Sequence, residues 1–508
     1  MSPNKALEGG FSDSLTHVQT ETGEGQIVAA PRKNFNTLST LSLATSLMAT
    51  WEALCSTMGA GLVSGGPVSL VYGFIVAVIG NLATAISLSE PASMYPGAGG
   101  QYQFIGELSS PESRAVLSFF SGWITLLGWV ALTASAPYAV GNLVQGLIGL
   151  NNPDYQPERY RTTLIYIAVL TLSFCLNQWG SRVLPLLENM IMFFHILFFF
   201  VMIIVIAVIP PDRHSAAFVF AKFQNNTGWE NDGVAWCLGM LTSAYILVGY
   251  DSATHISEEL HNPRVGVPRA MIGSILINGV MGFAILIGIL FGMGDIDAAL
   301  SSNTGFPIIE IFYHMTRGNA AAASAMASTI IVSASLATVG LSAAATRTLW
   351  AFARDKGPPA SGWLSRLNER SRIPTNALVL ITVVLALLGL LNIASTAAFG
   401  AILSLTVVAL NLSYLFPVVA MLYRRVRTPS VLAWGPWRMS NAAGMIANII
   451  SICWIVFVTV FLLLPAMKPV TALNMNYASA VLGGVIIFAT IDWLVRGRKH
   501  YKGPLKHE

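Results

Sequence analysis

Four ionisable side chains stand where water should be scarce. Glu52 sits near the middle of the run FNTLSTLSLATSLMATWEALCSTMGAGLVSGG, and His195 within LLENMIMFFHILFFF, seven residues after Glu188. Asp251 lies near the middle of VAWCLGMLTSAYILVGYDSATHISEE, with His255 one turn later. Each run is long and apolar enough to cross a bilayer, where a charged residue at the helix centre costs about 2.5–3.5 kcal/mol even on a lenient scale. A carboxylate in such a place can hold an ammonium group or a proton, and an imidazole can gain and lose a proton near neutral pH. Each residue also has a plainer role. Glu52 could be a neutral carboxyl bonded to a neighbouring helix, Asp251 a helix N-cap, and His195 a packed, hydrogen-bonded ring.

The surroundings of the two acids are alike. Trp51-Glu52-Ala53 in the first run and Tyr250-Asp251-Ser252, preceded by Gly249, in the sixth both join an aromatic, an acid and a small residue. Five spans separate them, so the second cluster would cross the membrane in the opposite sense. An inverted repeat of five plus five spans, with the first helix of each half broken at the midplane, meets that requirement. Carbonyls at the end of one half-helix attract a cation and N–H groups at the start of the next attract an anion, so a zwitterion could bind across the break.

The elements that must hold these residues follow from composition. Of 508 residues, 54% are hydrophobic and only 10% charged, against about a quarter charged in a soluble domain. A spanning helix needs roughly 20 apolar residues. Such runs lie near 38–64, 68–89, 115–149, 162–180, 183–209, 234–257, 270–293, 320–350, 375–393, 396–423, 441–464 and 475–495. The third run has no polar turn to split it and is expected as one long tilted helix. With the amino terminus in the cytosol, 22 of the 28 Lys and Arg fall on the inner side. Only Arg159, Arg161, Arg213, Lys222, Arg317 and Lys468 fall outside, which satisfies the positive-inside rule with both ends cytosolic. Asn225 heads a glycosylation sequon in an outer loop of this topology.

Other features exclude. Residues 1–36 are polar and lack the apolar core of a cleavable signal; they are expected as a mobile cytosolic tail. Cys55, Cys175, Cys237 and Cys453 show no metal-ligand spacing, so neither a metal site, a cofactor nor a disulfide framework is expected. Two membrane histidines out of eight are too few for a typical diheme arrangement. The absence of a G-x-x-x-x-G-K-[ST] string argues against ATP hydrolysis. Nothing points to a nucleic acid. Gly61-x-x-x-Gly65 reads as close helix packing.

Several segments carry a family likeness. SEPASMYPGAGGQYQFIGELSSP resembles the loop after span two in the amino acid–polyamine–organocation superfamily, through Glu90, Ser93, Tyr95, Pro96, Gly99, Gly100 and Tyr102. TWEALCSTMGAGLVSGGPVSLVYG, GYDSATHISEELHNPRVGVPRA and ATRTLWAFARDKGPP are similar to its fungal branch of GABA permeases and choline transporters. The likeness spans about residues 38–495, with Pro91 replacing the usual aliphatic residue after the acid, which could kink span two.

The resemblance implies an all-α membrane protein of about twelve spans: a five-plus-five inverted repeat with discontinuous helices 1 and 6, and two extra helices. The divisions expected are a tail over 1–36, a first repeat over 37–209, an outer loop over 210–233, a second repeat over 234–423, helices 11 and 12 over 424–495, and a basic tail over 496–508. By position, Trp51, Glu52 and Ala53 fall on the first break and Gly249, Tyr250, Asp251 and Ser252 on the second, where substrate is held. His195 matches a fifth-span position where some relatives keep a lysine in place of a sodium ion. Glu90 suits gating, paired with an inner arginine when the cytosolic side shuts.

Sequence and resemblance together lead to an expectation of a transporter rather than an enzyme. It would be an alternating-access carrier at the plasma membrane, coupled to protons, for a small amino acid, GABA, choline or a related amine. Trp51, Tyr250 and Trp129 could cage a quaternary amine over Glu52. Two other readings stay open: movement of a nitrogenous natural product, and a receptor that senses the solute without moving it.

Overall fold

The computed structural model describes residues 20–21, 27–28 and 33–505, apart from 181–182, 395–396 and 473. Most of the expected tail over 1–36 lies outside the described residues. Within it, Thr20–Glu21 and Ile27–Val28 pair as two short antiparallel strands.

The first crossing is two helices. α1 (Thr37–Met48) starts at a capping box, in which Asn36 Oδ1 accepts from Ser39 N at 2.9 Å and Ser39 Oγ accepts from Asn36 N at 3.0 Å. It stops at Ala49, whose φ of 43° and ψ of 48° put an alanine in the left-handed region, at a cost of roughly 1–2 kcal/mol. α2 (Thr50–Val63) then completes the crossing. α3 (Gly66–Met94) runs through Pro91 for a further three residues. The short α4 (Gln101–Leu108) leads into α5 (Arg114–Asn151), one uninterrupted helix of 38 residues, as the lack of a polar turn predicts. α6 (Arg159–Trp179) and α7 (Leu184–Val208) complete the first half.

After the short α8 (Ala216–Ala221), the sixth crossing is broken again. α9 (Asp232–Tyr245) ends, six residues follow, and α10 (Ser252–His255) resumes for a single turn. α11 (Pro263–Gly292) is followed by two helices on the far side, α12 (Ile296–Ser301) and α13 (Pro307–Met315). α14 (Ala320–Arg354), the short α15 (Ser361–Leu364), α16 (Thr375–Ala394) and α17 (Ala398–Arg427) end the second half. α18 (Asn441–Phe461) and α19 (Ala478–Asp492) are the extra pair.

Ten helices among the described residues are long and apolar enough to span a membrane. With the two broken crossings this makes twelve, five spans apart at the breaks. α5 packs along α14 and α17, and α3 along α11, at the centre of the bundle. The flank is different. α7 leaves Phe193, Ile204 and Val208 more than half exposed, an apolar surface that hydrocarbon covers without cost.

Both ends of the described chain lie on one face, here the terminus face. Phe35, just before α1, pairs in parallel with Leu260, just after α10, and its N–H donates to Glu259 O at 3.0 Å. The terminus-side pieces of the two broken crossings are thereby tied together. At the other end Tyr501 is buried, its hydroxyl 3.0 Å from Ser118 Oγ, and Leu505 N donates to Asp355 Oδ1 at 3.3 Å.

Candidate functional site

The breaks face each other. Gly249 has a φ of 98°, and a Cβ there would meet Leu47 Cδ1 of α1 at 3.0 Å and Leu132 Cδ2 at 3.3 Å. Only glycine fits both the backbone and the gap. Carbonyls freed by the interruptions find side chains: Thr50 Oγ1 donates to Ile246 O at 2.8 Å, and Asn278 Nδ2 of α11 donates to Thr45 O at 3.0 Å. The first break is therefore at Ala49 and not at Trp51-Glu52-Ala53. Those three residues form the first turn of α2, because Thr50 turns its hydroxyl across to the other break and the helix restarts behind it.

That shift changes what Glu52 sees. It lies in the first turn of a half-helix, where unpaired N–H groups favour negative charge by about 0.3–1 kcal/mol. The side chain is 1% exposed, and Oε1 lies 2.8 Å from Nδ1 of His195, itself 2% exposed. Oε2 has no hydrogen-bond partner among the described residues. The other ring nitrogen, Nε2, is 3.2 Å from Asn278 Oδ1. Because Asn278 spends its amide N–H on Thr45 O, it offers only an oxygen to the ring, and Nε2 is assigned as the donor. One proton must then lie between Nδ1 and Oε1, as imidazolium with carboxylate or as imidazole with carboxylic acid. With none there, two lone pairs would face each other. Trp51 completes the corner, its indole N–H donating to His195 O at 3.3 Å and its ring 6.1 Å from the imidazole.

Asp251 belongs to a second cluster. Its Oδ2 accepts from Gln101 Nε2 at 2.6 Å and Trp129 Nε1 at 3.1 Å and lies 3.3 Å from His255 Nε2; Oδ1 accepts from Tyr414 OH at 2.7 Å. It precedes α10 but its side chain makes no capping bond, so the N-cap role does not describe it. His255 Nδ1 faces Ala98 O at 2.9 Å, so both of its ring nitrogens meet acceptors. Gly100, with a φ of 57°, brings the loop after α3 against this turn; a Cβ there would meet Thr254 Oγ1 at 2.8 Å. Tyr250 packs against Tyr414 with ring centroids 5.5 Å apart, and Trp129 stands edge-on to His255 at 5.2 Å. Ser252 Oγ, like Glu52 Oε2, is buried without a hydrogen-bond partner among the described residues. No hydrogen bond or ion pair among the described residues joins the Asp251 cluster to Glu52. The three rings expected as a cage are all buried and each is packed on a different neighbour.

Several ion pairs lie on the terminus face. Glu90 pairs with Arg425 and accepts from Met439 N at 3.0 Å. Glu258 forks onto Arg354 at 2.7 and 2.8 Å, and Glu259 pairs with Arg347. Tyr102 OH donates to Asp355 at 2.9 Å. On the opposite face a cavity of about 820 Å³ is lined by Tyr138, Arg159, Glu310, Tyr313, Asn392 and Phe399. Asn225 is on that face too. Its amide donates to Trp229 O at 2.9 Å and Asp232 Oδ1 at 3.0 Å, so the sequon nitrogen is engaged in the folded loop.

Two broken crossings five spans apart, with buried polar residues at both breaks, are the architecture of a solute carrier. The sequence agrees: the family model described as "Amino acid permease" matches residues 35–487. The chain belongs to the amino acid permease family. This permease is 32% identical over 471 residues to a protein of Saccharomyces cerevisiae named choline transporter, covering 92% of this chain and 82% of that one. It is 31% identical to amino-acid permease 2 of Neurospora crassa, over 96% and 90% of the two chains. With amino-acid permease BAT1 of Arabidopsis thaliana it shares 26% identity over 94% of each. The permease is thus a multi-pass membrane transporter and not an enzyme.

Proposed function

We propose that this permease moves a small amine-bearing solute by alternating access, with one proton carried on the Glu52–His195 pair. The observation that supports this most directly is the 2.8 Å contact between two fully buried titratable groups beside the break at Ala49. The free oxygen of Glu52 is available to a substrate ammonium while the other holds the coupling proton. A solute lying between the breaks would contact Trp51, Glu52 and Ala53 on α2, and Gly249, Tyr250, Asp251 and Ser252 on the sixth crossing. A carboxylate on the solute, as in an amino acid or GABA, would be met by the N–H groups that begin α2. Choline needs only Glu52 and the aromatic faces.

The terminus face is the cytosolic one on the charge distribution, and Glu90 with Arg425 is one of its gates. The plasma membrane is the proposed location, with Asn225 modified while its loop is still open. The relatives named for choline and amino acids make compact amines the first solutes to try.

Uptake in a yeast strain lacking its own permeases tests the reading. Choline, GABA, small neutral amino acids and dicarboxylic acids are offered singly, at pH 5 and pH 7. Concentrative uptake of an amine, stronger at pH 5, is expected. Uptake of dicarboxylic acids alone would remove the role given to Glu52. Binding with no accumulation would make the protein a sensor.

A further inference from the structure

One buried acid takes no part in the pair or in the gates. Glu188, near the start of α7, is 1% exposed. Its Oε2 accepts from Ser46 Oγ of α1 at 3.1 Å, and its Oε1 has no hydrogen-bond partner among the described residues. It lies against α14 at Gly340, where a Cβ would stand 3.2 Å from Oε1. Among the described residues, α7 packs chiefly on α1, α11 and α14. α1 carries no titratable residue. α11 carries Arg264, bonded to the carbonyls of Ser93 and Met94, and the exposed Arg269. α14 carries Arg354 and Arg347, which are paired with Glu258 and Glu259. On α7 itself the other titratable group is His195, seven residues and about 10 Å further along the axis.

We infer that Glu188 is a second proton-binding site, filled while the terminus face is shut and emptied to that face when it opens. Among the described residues no cation stands at contact distance from Glu188; a carboxylate so placed is costly in a dry interior, whereas a carboxylic acid is tolerated there. Its one polar partner among the described residues, Ser46, is on α1, three residues before the break. A swing of α1 would withdraw the Ser46 hydroxyl and admit water. The O–H bond of the acid then breaks, the electron pair stays on Glu188 and the proton passes to water on the terminus side. Ser46 and Thr45 are adjacent, and Thr45 O is held by Asn278, which also holds His195. The same segment of α1 therefore touches both proton sites.

The site has one test that needs no transport and one that rests on the proton-coupled reading above. In purified full-length protein, the difference infrared spectrum between wild type and Glu188→Gln should show a protonated-carboxyl band, retained in Glu188→Asp. Absence of that band, or a carboxylate signal that shifts on adding sodium chloride instead, would overturn the site. In vesicles under a one-unit pH gradient, labelled choline should accumulate about tenfold less in Glu188→Gln, as loss of one of two coupled protons requires. Its affinity should stay within about threefold of wild type. An unchanged accumulation ceiling overturns the inference. A wild type indifferent to the gradient instead overturns the coupling reading and leaves the infrared result to decide Glu188.

Discussion

His195 Nδ1 and Glu52 Oε1 lie 2.8 Å apart on two helices that meet beside the first break, and neither residue touches solvent. Asn278 on the far side of the ring makes Nε2 a donor, which leaves Nδ1 and the carboxyl to share one proton. Adding or removing that proton changes the contact between α2 and α7 at the break itself. A chemical gradient can act on a conformational equilibrium only through such a differential contact.

Replacing the ring separates coupling from packing. His195→Lys places a fixed cation beside Glu52, so uptake should lose the share of its pH dependence that the Glu52–His195 pair supplies. His195→Ala removes the shared proton, so accumulation should fall while exchange across equal concentrations persists. Rates and pH profiles like wild type in both variants would reduce His195 to a packing residue.

Asn278 should matter to both stability and coupling. Asn278→Leu leaves Thr45 O unpaired at a cost of about 1–3 kcal/mol and frees the imidazole to adopt the other tautomer. Its unfolding temperature in detergent should drop by a few degrees, and the pH profile of uptake should flatten. Asn278→Asp, which turns the amide donor into an acceptor, should be worse than Leu at neutral pH. An unaltered pH profile in both would show that the tautomer is set elsewhere.

The Glu258–Arg354 fork gives the gate a direct test. The fork is partly buried, so removing one partner should cost less than the about 3–5 kcal/mol of a fully buried pair, though it still strands the other charge. Glu258→Gln should open the terminus face, and a cysteine introduced at Ser252 should label at least tenfold faster from that side. The exchange Glu258→Arg with Arg354→Glu should recover much of the protection. Equal labelling in all three would place the gate elsewhere.

Much of this was legible in the sequence, and the failures have physical causes. Glu52, His195 and Asp251 stand out because a charge in an apolar run has few neutral explanations. The break at Ala49 does not, since no glycine or proline marks it; Thr50 and Ile246 fix it through a bond between segments 196 residues apart. Asn278 and Gln101 are uncharged amides, one in the apolar α11 and one at the start of the short α4, and only the partners they meet make them informative. The count of Lys and Arg assigns Arg354 and Arg425 a side of the membrane without saying that Glu258 and Glu90 neutralise them.

Outside the spans, Asp355 ties the carboxyl-terminal segment to acidity. Burial is the largest influence on its carboxyl, and although Arg354, Tyr102 and Leu505 N oppose it, the pKa is pushed up to about 6. A pKa raised on folding stabilises the folded form most below the ordinary value of 3.8, and that contribution is lost as pH rises through about 6. Protection of residues 501–505 from proteolysis should therefore increase from pH 7 to pH 5. The change should be on the order of 2 kcal/mol or less. Asp355→Asn, which keeps an oxygen for Tyr102 and Leu505, should show the pH 5 level at both values. Equal protection of the wild type at pH 5 and pH 7 would contradict this.

Proton movement itself tests the central proposal most directly. Purified protein is sealed in vesicles with a pH-sensitive dye inside, and labelled choline is added outside with no pH gradient. The account predicts that entering choline brings protons with it, acidifying the lumen, and that a proton ionophore abolishes accumulation while sodium has no effect. Glu52→Gln should bind choline about tenfold more weakly, as loss of the carboxylate charge that attracts its quaternary ammonium implies. Even at saturating choline it should acidify the lumen by about half as much per choline carried as wild type does, because only the proton on Glu188 still moves. Choline-driven acidification equal in wild type and Glu52→Gln, or accumulation that survives the ionophore, would contradict the account.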